Sequence, residues 1–481
     1  MDSKYWTTGR LNQSYDKWPK QRLADLKAQV ARSKWRLGYH IQTRTGLLND
    51  PNGFSYFNHQ WHLFYQTFPF GAVHGLKSWT HLVSTDLVNW KNVHHPMIPN
   101  RSNDRNGCYS GSAIPVGHRL FLMYTGNIWD EHQHRQAKQD GAWVDKDNHI
   151  TKVNQPLINR PPLEVTGNFR DPQIIKHGDY YYAILGAQTE GHRGEIVVYR
   201  SQSVDHGWNF FRTMDVGNDN LGYMVECPNL IFIDKHPVIL FCPQGLDKKH
   251  LNYRNRYPNV YIAGDSLNWD QMKIVNPTKI RLIDNGFDFY ATSAINAPDG
   301  RDLSISWVGM PGSEYATDSE GWSGALTLVR EFDLKDGRLI QKPARENQKL
   351  FVKKLKAVNG MEIPQQCHIK WVPMEDQVSQ LAITAETSHL YFVIDQKGRR
   401  LSVYRQNLSG NEKVRRVSIN RGMIQECLFY FDNSEFEIYI NGGSRTITGR
   451  FFRNGENVNL NWIDCQSVKV AKLKSININN D

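Results

Sequence analysis

The sequence predicts an all-β protein that begins with a short helical extension. Short runs rich in β-branched and aromatic residues, separated by turn residues, recur along most of the chain, and no helical periodicity lies between them. A single amphipathic stretch precedes these runs. The chain has 481 residues, which is longer than one hydrophobic core usually supports, and its 40% hydrophobic content is enough to build two cores. Two domains are therefore predicted.

The N-terminal segment carries the only clear helical pattern. Leu23, Leu26 and Val30 recur at helical spacing within residues 20–34, and Pro19 stands at a position that suits the start of a helix. The pattern predicts one amphipathic helix that packs on the main domain. Residues 1–35 are interpreted as an N-terminal helical extension.

From Trp61 onward the pattern changes to short β runs that end in turn residues. The clearest runs cover residues 61–68, 119–125, 179–188, 195–200, 229–232, 237–241 and 302–308. Short, numerous strands without interleaved helices are typical of an all-β fold. This pattern alone leaves a sandwich, a barrel and a propeller open.

A second boundary is predicted between residues 335 and 360, where charged residues increase and strand signals weaken. Alternating β runs follow at residues 381–384, 390–394, 401–404, 428–431 and 436–440, and Asn, Asp and Gly turns end them. Such alternation is typical of an antiparallel sandwich. We expect a first domain over residues 36–340, a linker over 341–355 and a C-terminal β-sandwich over 356–481.

Composition disfavours several classes of protein. The net charge is +10 and the pI about 9.1, yet the basic residues are dispersed and no nucleic-acid-binding motif accompanies them, so no nucleic-acid partner is expected. A basic surface could still steer anionic small molecules. No apolar run is long enough to span a bilayer, and neither a metal site nor a cofactor is predicted.

The cysteines and the N-terminus bear on cellular location. The six cysteines lack paired or zinc-finger spacing, which favours buried thiols in a reducing compartment. No apolar run follows a basic start at the N-terminus, so a secretory signal is not expected. We expect a cytoplasmic protein, and the pattern leaves its oligomeric state open.

Three acidic residues stand in short proline-bearing motifs. Asp50 lies in Asn-Asp-Pro-Asn-Gly, Asp171 in Arg-Asp-Pro and Glu226 in Glu-Cys-Pro. Each motif alone is typical of a loop or a strand end. Cleavage of a glycoside needs two carboxyl groups beside the scissile bond, and a β-rich fold could bring such motifs together. Apolar residues flank Asp50, where a buried carboxylate is costly unless it is paired or used.

In this order, the three motifs resemble the signature blocks of glycoside hydrolase family 32, which includes invertases, fructanases and sucrose-6-phosphate hydrolases. Further matching blocks lie at residues 64–66, 109–112, 288–291, 307, 321–324 and 330–331. The resemblance implies a five-bladed β-propeller whose inner strands bring the motifs to one funnel, followed by a sandwich without catalytic residues. Within the family, the N-terminal extension and residues 73–79 and 241–246 are most similar to bacterial sucrose-6-phosphate hydrolases.

The resemblance also implies a role for each carboxyl group. Asp50 corresponds to a nucleophile that forms a covalent fructosyl-enzyme, and Glu226 to the general acid and base, whose pKa should be the higher one. Asp171 corresponds to a residue that stabilises the transition state. A retaining enzyme would hold the carboxyl groups of Asp50 and Glu226 roughly 5 to 5.5 Å apart, against about 6.5 to 9.5 Å in an inverting one.

Substrate contacts are implied by the same resemblance, although ordinary strand packing would also explain each residue. They are Leu47, Leu48, Asn49, Gln66, Trp79, Tyr109, Ser110, Arg170, Tyr290 and Trp307. Trp79 is followed by Thr80 where many invertases have glycine, which predicts a different pocket rim.

The leaving group is the least explicit part of the prediction. A 6-phosphate on the glucose would need basic donors, and His74, Lys77 and Arg254 are the candidates, each of which could equally be a surface cation. We expect hydrolysis of sucrose-6-phosphate and, to some extent, sucrose or short fructo-oligosaccharides. The alternatives are a fructan exohydrolase, a fructosyltransferase and, more distantly, a carbohydrate-binding propeller without turnover.

Overall fold

The computed structural model describes residues 5–132, 134–407, 412–419, 422–453, 455 and 457–476. Residues 1–4 of the expected N-terminal extension and residues 477–481 of the expected C-terminal sandwich lie outside this range. Strands dominate the described residues, as predicted. In this part of the chain, no helix combines the length and the apolar character that crossing a bilayer requires. All six cysteines are free thiols, as the absence of a disulfide pattern predicted.

The N-terminal segment contains two helices, α1 (Thr8–Leu11) and α2 (Lys20–Ala31). Leu26 and Val30 are buried, and Leu23 packs against a cluster that includes Phe68. The predicted amphipathic helix is confirmed, although it ends at Ala31 instead of continuing to residue 34. Short 3-10 helices occur at Tyr15–Lys17, Ser102–Asp104, Ala316–Glu320, Arg345–Leu350 and Asn441–Gly443.

Residues 46–343 form five sheets of four or five strands and one two-stranded ribbon. The first two sheets contain β1 (Gly46–Phe57), β2 (Gln60–Phe68), β3 (Ser78–Ser84) and β4 (Lys91–Asn92), then β5 (Cys108–Val116), β6 (Arg119–Gly126), β7 (Lys138–Val144) and β8 (Ile150–Lys152). The third contains β9 (Val165–His177), β10 (Tyr180–Thr189), β11 (Gly194–Ser201) and β12 (Asn209–Thr213).

The fourth and fifth sheets complete this region. The fourth contains β13 (Met224–Ile233), β14 (His236–Gln244) and β15 (Val260–Ala263); the ribbon of β16 (Ser266–Asn268) and β17 (Lys273–Val275) precedes its last strand, β18 (Arg281–Leu282). The fifth begins with β19 (Tyr290–Asn296) and β20 (Asp302–Val308). β21 (Trp322–Ser323) joins the first sheet, parallel to β1, and β22 (Ala325–Leu326), β23 (Arg330–Lys335) and β24 (Arg338–Pro343) return to the fifth.

The first strands of the five sheets lie side by side. β5 contacts β1 and β9, β13 contacts β9 and β19, and β19 contacts β1 again. These five strands therefore form a closed ring. The parallel pairing of β21 with β1 links the end of this region to its beginning.

Each strand of this ring breaks register with the next strand of its own sheet at two adjacent residues, and β1 and β9 each have one further break. The breaks fall at residues 49–50 of β1, 109–110 of β5, 171–172 of β9, 227–228 of β13 and 291–292 of β19. Such bulges bend a strand and re-aim its side chains, and they are frequent beside active sites. Asp171, Cys227 and Ala291 have positive φ angles of 63°, 50° and 52°, a backbone conformation that is uncommon outside glycine. The five breaks are a structural repeat that the sequence did not reveal.

Two further sheets of six strands each form the C-terminal region. In chain order the strands are β25 (Phe351–Leu355), β26 (Met361–Glu362), β27 (Gln366–Pro373), β28 (Val378–Ala385), β29 (Ser388–Asp395), β30 (Arg400–Gln406), β31 (Glu412–Ser418), β32 (Cys427–Asp432), β33 (Glu435–Ile440), β34 (Arg445–Arg450), β35 (Asn459–Ile463) and β36 (Cys465–Leu473). One sheet has the order β25-β36-β27-β32-β33-β34 and the other β26-β35-β28-β29-β30-β31. Trp371, Phe429 and Ile438 of the first sheet share a core with Phe392 and Leu401 of the second.

Candidate active site

The register breaks bring the three predicted carboxylates to one end of the ring. Asp50 lies in the break of β1, Asp171 in that of β9, and Glu226 directly precedes that of β13. A small cavity of about 20 Å³ is lined by Asp171, Pro51 and Pro228, together with residues of β5 and β19. The three side chains also interact electrostatically, because Glu226 raises the pKa of Asp50, and both raise the pKa of Asp171.

Asp50 ends a chain of hydrogen bonds that begins at a buried lysine. Lys77 Nζ donates to Asn49 Oδ1 at 2.6 Å, and Asn49 Nδ2 donates to Gln66 Oε1 at 2.9 Å. Gln66 Nε2 donates to Ser110 Oγ at 2.5 Å, and Ser110 Oγ donates to Asp50 Oδ2 at 2.6 Å. Three predicted substrate contacts, Asn49, Gln66 and Ser110, thus hold the carboxylate of Asp50 in place.

Burial shifts the pKa at both ends of this chain. It raises the pKa of Asp50, and the hydrogen bond from Ser110 only partly opposes that shift. Burial lowers the pKa of Lys77 to about 7, although the negative charge of Asp50 acts in the opposite direction. Lys77 was a candidate phosphate contact; it is 3% exposed and its ammonium group is already bound to Asn49.

Glu226 is held by four hydrogen bonds. Arg170 donates to Oε1 through Nε at 3.2 Å and through Nη2 at 2.8 Å. Tyr290 OH and Gln244 Nε2 donate to Oε2 at 2.7 and 2.6 Å. Burial raises the pKa of Glu226, but the charge of Arg170 and these donors outweigh burial and lower it. The expectation that Glu226 has a higher pKa than Asp50 is therefore wrong, because donors stabilise the ionised form of Glu226.

Asp171 is anchored through the backbone. Its amide donates to Thr125 Oγ1 at 2.9 Å, and its Oδ2 accepts from the amide of Cys227 at 3.0 Å. Burial raises the pKa of Asp171 to about 7; Arg170 opposes this shift, while Glu226 and Asp50 add to it. The charge of Arg170 thus acts to lower the pKa of both carboxyl groups, but the pKa of Asp171 is raised overall and that of Glu226 is lowered.

The predicted aromatic contacts differ in their exposure. Trp79 is fully buried, and its Nε1 donates to the carbonyl of Tyr109 at 3.1 Å, so it supports Tyr109 from behind. The ring of Trp307 lies 6.4 Å from that of Tyr290 and 6.3 Å from that of His74. His74 keeps solvent-accessible surface, but the surrounding protein atoms and then the charge of Lys77 lower its pKa to about 3. Leu47 and Leu48 are buried in two separate apolar clusters.

Gln244 and Arg135 lie near the carboxylates and were not predicted, whereas Arg254, which was predicted, lies elsewhere. Gln244 belongs to the block at residues 241–246 that contributed to the family resemblance, so a signal for it was present. Arg135 lies in a loop without a motif, and its charge interacts with Glu226 and Asp171. Arg254 lines a different cavity with Asp284 and residues of β31, and none of the three carboxylates lines it.

Within the described ranges, two groups of side chains have the spacing of metal ligands: His40, Glu435 and Glu437, and Asp145, Asp147 and His149. His40 Nδ1 lies 3.0 Å from Asp432 Oδ2, and His40 Nε2 lies 3.1 Å from Glu437 Oε1. Burial lowers the pKa of His40, but the surrounding carboxylates outweigh it and raise the pKa to about 10. A protonated imidazole has no lone pair for a metal, so the first group is better described as an ion-pair cluster.

Comparisons with known proteins identify the family of this chain. The profile of the glycosyl hydrolases family 32 N-terminal domain matches residues 40–343. A sucrose-6-phosphate hydrolase of Pediococcus pentosaceus is 42% identical over 476 residues, covering 95% of this chain and 93% of that protein.

Solved structures give the same result. The structure of sucrose-6-phosphate hydrolase from Lactobacillus gasseri superposes with a TM-score of 0.91 at 37% identity, covering 98% of this chain and 100% of that one. A mutant beta-fructofuranosidase of Bombyx mori, solved in complex with sucrose, gives 0.84 at 28% identity and covers 95% and 97% of the two chains. The chain belongs to glycosyl hydrolase family 32.

Proposed function

We propose that this protein is a retaining β-fructofuranosidase that hydrolyses the fructofuranosyl bond of sucrose-6-phosphate and, less efficiently, of sucrose. The observation that carries the proposal is the convergence of Asp50, Asp171 and Glu226, each with a different set of partners. The names of the related hydrolases support the phosphorylated substrate. The basic net charge is also suited to an anionic sugar.

In the proposed first step, a carboxylate oxygen of Asp50 attacks the anomeric carbon of the fructosyl unit. The bond to the bridging oxygen breaks as Glu226 donates its proton to that oxygen, and a covalent fructosyl-enzyme remains. In the second step Glu226 removes a proton from water, which attacks the same carbon and releases Asp50. Ser110 supports Asp50 in both steps, because its hydroxyl fixes the orientation of the carboxylate.

Glu226 must gain a proton before the first step, although its donors lower its pKa in the free protein. Substrate binding is expected to supply the change. A bound sugar excludes water from the carboxyl group and brings the bridging oxygen, a hydrogen-bond acceptor, next to it. Both effects favour the protonated form. Asp171 would remain beside the ring and stabilise the developing positive charge.

We also propose that residues 36–340 form a five-bladed β-propeller and that the C-terminal region is a β-sandwich. The closed ring of β1, β5, β9, β13 and β19 supports the propeller, with one sheet per blade. The pairing of β25 with β36 favours a shorter linker than 341–355, since Phe351 already belongs to a sandwich strand. A cytoplasmic location stays a prediction, supported by the six free thiols.

The test of this function compares kcat/KM on sucrose-6-phosphate and on sucrose, with product analysis at high sucrose. We expect a higher value on the phosphorylated substrate and free fructose as the fructosyl product. A ratio near unity would remove the phosphate preference and leave a fructofuranosidase. Kestoses as the main products would instead indicate a fructosyltransferase, and turnover confined to fructo-oligosaccharides an exohydrolase. Binding without any turnover would indicate the non-catalytic alternative.

A further inference from the structure

Arg135 lies beside the site in a loop of which residues 127–132 and 134–137 are described. The loop joins β6 to β7, and the backbone of Trp129 fixes it at two points. The amide of Trp129 donates to Asn106 Oδ1 at 3.0 Å, and its carbonyl accepts from Arg105 Nη2 at 2.7 Å. The amide of Gln136 donates to the carbonyl of Ile128 at 2.8 Å across the loop. These hydrogen bonds therefore fix the backbone on both sides of Arg135 in the described part of the loop.

The guanidinium of Arg135 stacks on aromatic rings but lacks an anionic partner. Its central carbon lies 5.3 Å from the ring centre of Tyr109 and 5.1 Å from that of Trp129. Glu226, whose charge acts on Arg135, is already bound by Arg170, and the buried Nε of Arg135 has no hydrogen-bond partner among the described residues. A buried donor without an acceptor is costly, whereas cation–π stacking leaves the edge of the guanidinium available. The arrangement is suited to an anion that arrives from outside the protein.

Arg135 also lies on the side of the site where the leaving group must be. The general acid has to touch the bridging oxygen, so the leaving sugar lies next to Glu226. Burial and the charge of Arg170, which holds Glu226, lower the pKa of Arg135, while the charges of Glu226 and Asp171 oppose that shift, so Arg135 lies within the electrostatic reach of all three. Tyr109, under the guanidinium, directly precedes Ser110, the residue that contacts Asp50.

We propose that Arg135 binds the phosphoryl group of the leaving sugar, a role that rests on the proposed fructofuranosidase function. A planar guanidinium matches two phosphate oxygens, and stacking on Tyr109 and Trp129 fixes its plane before the substrate arrives. Arg135 thereby takes the role for which three other residues were candidates. Lys77 is engaged with Asn49, and Arg254 lines another cavity. The surrounding protein atoms lower the pKa of His74 to about 3, so its imidazole carries no charge for a phosphate at neutral pH.

Arg256 is the main competitor for this role. It is exposed, and its guanidinium lies 5.5 Å from the ring of Tyr257, whose hydroxyl is 2.9 Å from that of Tyr223. The charge of Glu226 contributes to the raised pKa of Tyr223, so this group of residues also lies near the site. Arg256 differs from Arg135 because its side chain is exposed, and an exposed cation gains less from an ion pair.

The experiment replaces each arginine by glutamine and measures kcat/KM on sucrose-6-phosphate and on sucrose. Arg135→Gln should lower the ratio of the two values by about 10- to 100-fold, the usual range for a hydrogen bond to a charged group. Arg254→Gln removes the same charge in a different cavity and should leave the ratio within about twofold of the wild type, as changes away from the contact do. A selective loss in Arg256→Gln, with Arg135→Gln unchanged, would overturn the proposal.

Calorimetry on the same variants separates this proposal from the function on which it rests. The probes are glucose 6-phosphate, glucose and inorganic phosphate. We expect the wild type and Arg254→Gln to bind glucose 6-phosphate and Arg135→Gln to lose this binding. That result supports a phosphate site at Arg135 even if turnover is absent. A strong wild-type preference for sucrose-6-phosphate that survives Arg135→Gln leaves the function intact and removes Arg135 from it. Equal binding of all three probes to wild type and variant would also remove it.

Discussion

The two regions are both built from β-strands, but they pair these strands in opposite ways. In the C-terminal region, β28, β29, β30 and β31 pair without a single register break, and β27 alternates strictly between buried and partly exposed residues. In the first region every strand of the inner ring breaks register at two residues. Regular pairing directs alternate side chains into a core, whereas the bulges of the first region direct polar side chains toward the candidate active site.

Charged groups differ between the site and the contact between the two regions. Arg330, at that contact, binds Glu437 at 2.6 Å and Asp284 at 3.2 Å, and it also donates to Thr448. Every member is buried and paired. In the site, burial instead raises the pKa of Asp50, and Arg135 has no anionic partner among the described residues. The charge of Arg330 is thus paired at the contact between the regions, whereas Arg135 lies beside the proposed substrate site with its buried Nε unpaired.

The largest effect should come from removing the proposed nucleophile. Asp50→Asn should lower kcat by a factor of about 10⁴ or more, because an amide cannot form the fructosyl intermediate. The melting temperature should stay equal or rise, since burial disfavours the charge at Asp50 and Ser110 can still donate to the amide oxygen. Asp147→Asn, the same change at an exposed turn, is the control and should alter neither value. Retained turnover in Asp50→Asn would reassign the nucleophile.

The second prediction concerns the contact between the regions. Arg330→Met should lower the free energy of unfolding by about 3 to 5 kcal/mol, because it leaves Asp284 buried without its cation and leaves Glu437 with His40 as its remaining cationic partner. Arg345→Met is the control: its side chain is 66% exposed, so we expect a change of about 0.5 kcal/mol or less. Urea denaturation of both variants measures the difference. Equal stability of the two would show that the paired cluster does not hold the regions together.

The sequence predicted the features that depend on local pattern. The helix at residues 20–31 and the strands of both regions follow from periodicity, and the three acidic motifs were recognisable because each is contiguous. The partners of Glu226 depend on chain distances that no local pattern records: Arg170 is 56 residues away and Tyr290 is 64. Their combined effect reversed the predicted shift of its pKa. Arg135 was missed for the same reason, since only the fold brings its loop beside Tyr109.

The smallest effect tests how those partners set the pKa of the proposed general acid. Tyr290→Phe removes the hydroxyl that donates to Glu226 Oε2 at 2.7 Å. With one donor fewer the ionised form is less stable, so the pKa of Glu226 rises and its protonated form persists to higher pH.

The alkaline limb of kcat/KM against pH, which reports the free enzyme, should therefore move upward by about 0.5 to 1 pH unit. Tyr199→Phe removes a hydroxyl bound to the carbonyl of Arg160, outside the site, and should leave the limb in place. A downward shift in Tyr290→Phe, or none, would mean that a group other than Glu226 controls that limb. Because the three carboxylates interact, the limb reports the titration of the whole site, and the shift between variants carries the information about Glu226.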